Sequence, residues 1–302
     1  MSRSLEALTP KQAGFFEEHG YLVLENRVPL QIIEEIRTEI ARFGEEARGM
    51  TASNDRIDLE DSHTPERPRM RRIKLPHTTS PVVGDLMRSD HVLAPVRDLF
   101  GPDLRLHTSK LNMKSAGFGA AIEWHQDFEF YPLTLDDILA VGVLIDEMVA
   151  ENGPLMVFPG SHRGRLHDHH AGGVFAGAMD LDACGYDMAD AVALCGPAGS
   201  ISLHHARTVH GSALNTSDRD RRILFFEMMA ADAFPIMGSM TRFDDLDDYN
   251  TRMLCGSATI TPRLASTPVR IPLPQPARNR SIYEVQAQLK NRAFETHEKE
   301  PS

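Results

Sequence analysis

The stretch EWHQDFEF, residues 123–130, places His125 two positions before Asp127. On a strand, side chains at alternate positions share a face, so both would point one way and Gln126 the other. An imidazole and a carboxylate so placed are ligands for a divalent cation, but two ligands hold one weakly. The candidate third is His210 in HHARTVHGSALN, just before a Gly-Ser turn. Two histidines and one carboxylate on one side of a metal are the ligand set of non-haem Fe(II) oxygenases. Such iron needs an electron source to activate O2, and a 2-oxo acid can chelate it through two open positions. Its far carboxylate then needs a permanently charged partner. Arg221, at the start of the next apolar run, could supply a two-pronged contact. Arg222 would face the opposite side of the same strand.

Those residues need a β framework. LRLHTSKLNMK, ILAVGVLIDEM, PLMVFPGSH, GSISLHHARTVHG and RRILFFEMMAA are short apolar or alternating runs separated by Gly, Pro, Asn and Asp. They predict a mainly β core of the jelly-roll or cupin type over 104–275, decorated by helices. Ahead of it lies a helical lead, 1–100. Thr9 caps a helix that Gly20 stops, YLVLENRV reads as a strand, and Leu30, Ile33, Ile36 and Ile40 form a helical stripe. Residues 49–70 read as a mobile loop, 80–99 as a third helical zone, and 281–297 as a C-terminal helix. The stretch 163–199, rich in Gly, Asp and His, reads as an insertion between strands and a candidate lid. With no repeats and no linker, the expectation is a single domain over 1–302.

Bulk properties narrow the partners. A net charge of -11 disfavours nucleic acid and anionic membranes. Cys184, Cys195 and Cys255 form no CxxC pair and point to a reducing compartment. No leader-like or membrane-spanning run is evident, so the expected location is the cytoplasm.

WHQD, NGPLMVFPGSH and HGSALNTSDRDR together resemble the phytanoyl-CoA dioxygenase family, as does the lead GFFEEHGYLVLENRVP. The resemblance covers about Leu104 to Ala230. It implies a double-stranded β-helix that uses Fe(II), 2-oxoglutarate and O2. Carried over, His125, Asp127 and His210 are iron ligands and Arg221 is the 2-oxoglutarate anchor. Lys110, on the strand before the HxD strand, falls where the family contacts 2-oxoglutarate. Arg72 or Lys74 in RRIKL falls near another such contact.

The expected activity is hydroxylation of a C–H bond of a small molecule, releasing succinate and CO2. A metal-bearing binding protein without turnover is the rival. A halogenase would need an open halide position, which Asp127 fills. Plainer readings attach to the remaining residues. His204 and His205 read as core histidines, Trp124 as packing, and HDHH at 167–170 as a solvated loop. Arg69, Arg71 and Arg72 read as a solvated or salt-bridged run, and Ser161 and His162 as turn-formers. One of Phe128, Phe130 and Tyr131 could line a pocket mouth.

Overall fold

A computed structural model describes residues 5–237, 243–266, 268–275, 286, 289 and 291–294. The predicted C-terminal helix lies largely outside the described residues.

Helix α1, Pro10–His19, begins with Pro10 at its first position, and Thr9 and Gln12 form a reciprocal cap. Gly20, at φ 77, ends it. Strand β1, Tyr21–Leu24, is shorter than the sequence suggested. Helix α2, Leu30–Arg48, buries the stripe Ile33, Ile36, Ile40, Phe43 and Ala47. Residues 49–70 are not merely loop. They hold β2, Ile57–Leu59, which pairs with β3, Met70–Lys74. Ile57 is fully buried, and that burial draws a polar-looking stretch into the sheet. The third helical zone is two helices, α3 (Pro81–Met87) and α4 (Asp90–Phe100).

The β framework follows in chain order: β4, Leu104–Lys114; β5, Ile122–His125; β6, Ile138–Leu144; β7, Met156–Val157. The 163–199 segment contributes the hairpin β8 (His170–Ala171) and β9 (Val174–Phe175), then α5 (Leu181–Cys184) and β10 (Val192–Ala193). Then come β11, Ile201–His205; β12, His210–Ser212; β13, Arg221–Ala230; α6, Leu246–Asn250; and β14, Met253–Cys255.

The large sheet runs β1-β11-β6-β13-β4-β3-β2, with β14 also on β4. The small sheet runs β10-β7-β12-β5. All recorded pairings are antiparallel. This is the jelly-roll arrangement the strand runs predicted. One face of the large sheet packs on α1–α4 through residues such as Leu22, Leu203, Val141, Leu224 and Leu111. Its other face looks toward the small sheet, and the site lies between them.

Among the described residues, no helix is long and apolar enough to cross a membrane.

Candidate active site

β5 and β12 lie side by side in the small sheet, with His125 directly opposite His210 and their rings 4.1 Å apart. Gly211 permits this closeness. A Cβ there would sit 3.0 Å from the Ile122 carbonyl and 3.2 Å from Trp124, forcing the strands apart. Each histidine is fixed in one tautomer. His125 Nδ1 donates to the Glu123 carbonyl at 2.8 Å, and His210 Nδ1 to the Thr208 carbonyl at 2.9 Å. A carbonyl only accepts, so each Nδ1 carries the proton and each Nε2 presents a lone pair.

Both lone pairs face Asp127. Its Oδ1 lies 3.6 Å from His125 Nε2 and its Oδ2 3.8 Å from His210 Nε2. One ligand atom from each of the three lies within 4.8 Å of the others, and all three residues are buried. The donor set of two neutral imidazoles and a carboxylate fits Fe(II). Burial pushes the Asp127 carboxyl up, but positive charge around it, the Lys110 ammonium included, outweighs this and holds its pKa well below the usual carboxylate range. Burial, above all, depresses His210 well below its ordinary value, which keeps that ring neutral and able to ligate.

The expected strand geometry is half right. β5 ends at His125, and Asp127 opens a 3-10 turn, Asp127–Glu129. Gln126 points the other way, as alternation predicts. Its amide bonds the Arg207 carbonyl at 2.8 Å and accepts the His167 N–H at 2.9 Å. The Gln126 backbone N–H donates to His169 Nε2 at 2.8 Å. His169 is fully buried, so the solvated-loop reading of HDHH is corrected. The 163–199 segment therefore docks against the back of the metal motif, and Phe175, Ala176 and Gly177 line the cavity in front of it.

That cavity has a volume of about 390 Å³. It brings together the residues the sequence assigned to metal and cofactor: the triad, Arg221, Lys110, Arg72 and Lys74. Arg221 is buried, with Nε and Nη2 donating to the Gly153 carbonyl at 3.1 and 2.5 Å. Arg222 faces outward and grips Asp146 through two bonds of 2.7 and 2.6 Å. The strand register deduced from alternation thus holds. Arg72 lies 3.5 Å and Lys74 2.7 Å from Asp58 at the cavity rim. Lys110 Nζ lies 2.6 Å from Glu227 Oε1.

Phe130 and Tyr131 both line the cavity, whereas Phe128 is core. Trp124 packs between Phe158 and Phe294. Ser161 shapes its turn as expected, bonding the Phe158 carbonyl and accepting the Val209 N–H.

His204, read from sequence as a core histidine, and Ser212 and Glu227, not singled out there, also line the cavity. His204 lies with Nε2 3.5 Å from Asp127 Oδ2. Ser212 sits in the cavity two positions past His210, and Glu227 in its floor. Period-two alternation from Arg221 would have found Glu227, since 221, 223, 225 and 227 share a face.

A jelly roll with two histidines and a carboxylate converging beside a buried arginine defines the non-haem iron, 2-oxoglutarate-dependent dioxygenases. The chain belongs to the phytanoyl-CoA dioxygenase (PhyH) family, whose pattern matches residues 16–223. It is 32% identical over 288 residues to a protein of Stutzerimonas stutzeri named "Probable alpha-ketoglutarate-dependent hypophosphite dioxygenase", covering 94% of this chain and 99% of that one. It is 29% identical over 245 residues to an ectoine dioxygenase of Bordetella parapertussis, covering 73% and 75%. The crystal structure of EctD from S. alaskensis with bound Fe superposes with a TM-score of 0.63 at 26% identity, covering 76% of this chain and 80% of that one. The protein is a dioxygenase, and its cofactors are Fe(II), 2-oxoglutarate and O2.

Proposed function

We propose that this dioxygenase hydroxylates a C–H bond of a small-molecule substrate, converting 2-oxoglutarate to succinate and CO2. His125, Asp127 and His210 hold the iron. The observation that carries the reading is the convergence of their three ligand atoms within 4.8 Å, with both imidazoles locked in the ligating tautomer. Bound Fe(II) and 2-oxoglutarate supply the oxidising power for O2 activation.

The chain's own residues do the rest. Arg221 holds the far carboxylate of 2-oxoglutarate, its guanidinium plane set by the Gly153 carbonyl. Arg72, opposite Asn112 on β4, also lines the cavity. Phe130 and Phe175, whose ring centroids lie 5.0 Å apart, form an apolar wall that keeps water from the reacting atoms. A cavity of about 390 Å³ is at the small end for ligand sites, yet it must hold both 2-oxoglutarate and the substrate. That favours a compact substrate over an acyl-CoA. We assign the enzyme to the cytoplasm as one catalytic domain; the free Cys184, Cys195 and Cys255 support a reducing compartment.

A second reading rests on the S. stutzeri relative, which matches over nearly its whole length. It would replace the C–H bond by a P–H bond. Succinate formation from 2-oxoglutarate decides, measured with ectoine, small organic acids, amino acids and hypophosphite. Stimulation by an organic compound, lost in Asp127→Ala together with Fe(II) binding, supports hydroxylation of carbon. Stimulation by hypophosphite alone replaces it with the second reading. Full turnover in Asp127→Ala overturns the triad. Protein that binds 2-oxoglutarate and turns over with nothing would be the binding-protein rival.

A further inference from the structure

The cavity floor has two polar ends, and only one is accounted for. Arg221 opens β13 opposite Lys114, whereas Glu227, six residues on, pairs with Thr108 on one side and Ala140 on the other. At about 3.3 Å per residue the two side chains leave the strand about 20 Å apart. Arg221 is the 2-oxoglutarate anchor of the proposed function, and Glu227 stands toward the other end of the strand.

Glu227 is 1% exposed and faces the cavity, its carboxylate held by the Lys110 ammonium at 2.6 Å. Beside it the Tyr131 hydroxyl is also buried and lies between the Glu227 and Asp127 carboxylates. Next but one on the same rung, across Ala140, His204 shows an Nδ1 with no hydrogen-bond partner. A buried polar atom left like this is costly unless a ligand completes it. Lys110 turns its ammonium to Glu227.

We infer that Lys110, Glu227 and Tyr131 form the substrate's head-group subsite, and that it takes a small amphoteric molecule, one bearing a donor cation beside an anionic oxygen. This rests on the reading of the site as a 2-oxoglutarate dioxygenase. The charges of Lys110 and Glu227 cancel, so a bare anion meets the Glu227 carboxylate and a bare cation meets the Lys110 ammonium. A molecule with both groups satisfies both. Its donor completes the Glu227 oxygens, its oxyanion takes a second proton of Lys110, and Tyr131 bonds either group. Asp127 lies next to this end, through the 3.5 Å approach of His204, so the head group sits beside the metal.

The test is anaerobic calorimetry on the full chain loaded with Fe(II) and 2-oxoglutarate, whose own binding is recorded first. Failure to bind 2-oxoglutarate defeats the dioxygenase reading; everything after that step bears on the subsite. Three probes share one ring: L-proline, cyclopentanecarboxylate and pyrrolidine, with hypophosphite as a fourth, compact anion. L-Proline is expected to bind at least about tenfold more tightly than either single-charge analogue, the worth of one charge-assisted hydrogen bond. In Glu227→Gln, where Lys110 keeps an uncompensated charge, that preference over cyclopentanecarboxylate should shrink about tenfold. Tyr131→Phe, which keeps the packing, should weaken L-proline severalfold and serves if the Gln variant does not fold. Cyclopentanecarboxylate or hypophosphite binding as tightly as L-proline overturns the inference. So does an unchanged preference in both variants, or binding of none of the four probes.

Discussion

Replacing Arg221 is the most direct test of how the cavity is divided. Its guanidinium is buried at the β13 end, and two of its nitrogens are held by the Gly153 carbonyl. The fork is thus oriented before any ligand arrives, so little entropy is lost on binding a carboxylate. A charge-assisted contact of this kind is worth about 2–3 kcal/mol, or roughly 30- to 150-fold in affinity. Arg221→Ala should therefore raise the KM for 2-oxoglutarate by roughly 30- to 150-fold. Arg221→Lys, which keeps the charge but loses the fork, should fall between. Arg222→Ala is the control one residue away. It removes the outward ion pair with Asp146, a partly exposed contact worth about 1 kcal/mol of stability, and should move that KM less than threefold. Succinate release against 2-oxoglutarate concentration measures all four proteins. Anaerobic binding of 2-oxoglutarate separates lost affinity from lost folding. Equal effects at Arg221 and Arg222, or the larger effect at Arg222, would refute the register and the anchor together.

His169 is not one of the three ligands, yet it accepts the N–H of the residue between two of them. His169→Ala should weaken Fe(II) binding roughly 10- to 100-fold in a metal titration, as loss of outer support for a metal site does; unchanged affinity would show that the 3-10 turn holds Asp127 unaided. For acid stability, burial pushes His107, His169 and His205 down to about 3. Unfolded, they titrate near 6.5, so the unfolded chain binds more protons below that pH, and stability present above about pH 6.5 is lost as pH falls toward 3. Urea melts of the metal-free protein should show stability falling between pH 7.5 and 5.5, the raised Glu129 carboxyl offsetting part of the loss, and stability that rises over this window would contradict the neutral buried rings. Hydrogen exchange should show residues 163–199 gaining more protection than the β core when metal, 2-oxoglutarate and substrate bind without oxygen; equal exchange there would make the segment a fixed wall.

The ligand set was legible because its chemistry is local. His125 and Asp127 are two residues apart, His210 stands before a Gly-Ser turn, and Arg221 opens an apolar run, where alternation sends Arg221 and Arg222 to opposite faces. The helical lead was legible for the same reason, since Thr9, Gln12 and Gly20 act within one helix. What the chain does at long range was not legible. Ile57 joins the sheet because its burial against distant residues outweighs the turn-rich sequence around it. Asp127 leaves the strand for a 3-10 turn because Gln126 and its backbone are tied to Arg207, His167 and His169, none of them near in sequence. HDHH looked solvated, yet His169 is sealed under the metal motif. That Lys110 sets its ammonium against Glu227, 117 residues away in the chain, was not legible, because cross-strand register decides it. Which residues can ligate, and which way alternate side chains point, are properties of type and spacing. Which buried charges meet is fixed only when the sheets pair, because register is a contact between segments that the order of residues does not bring together.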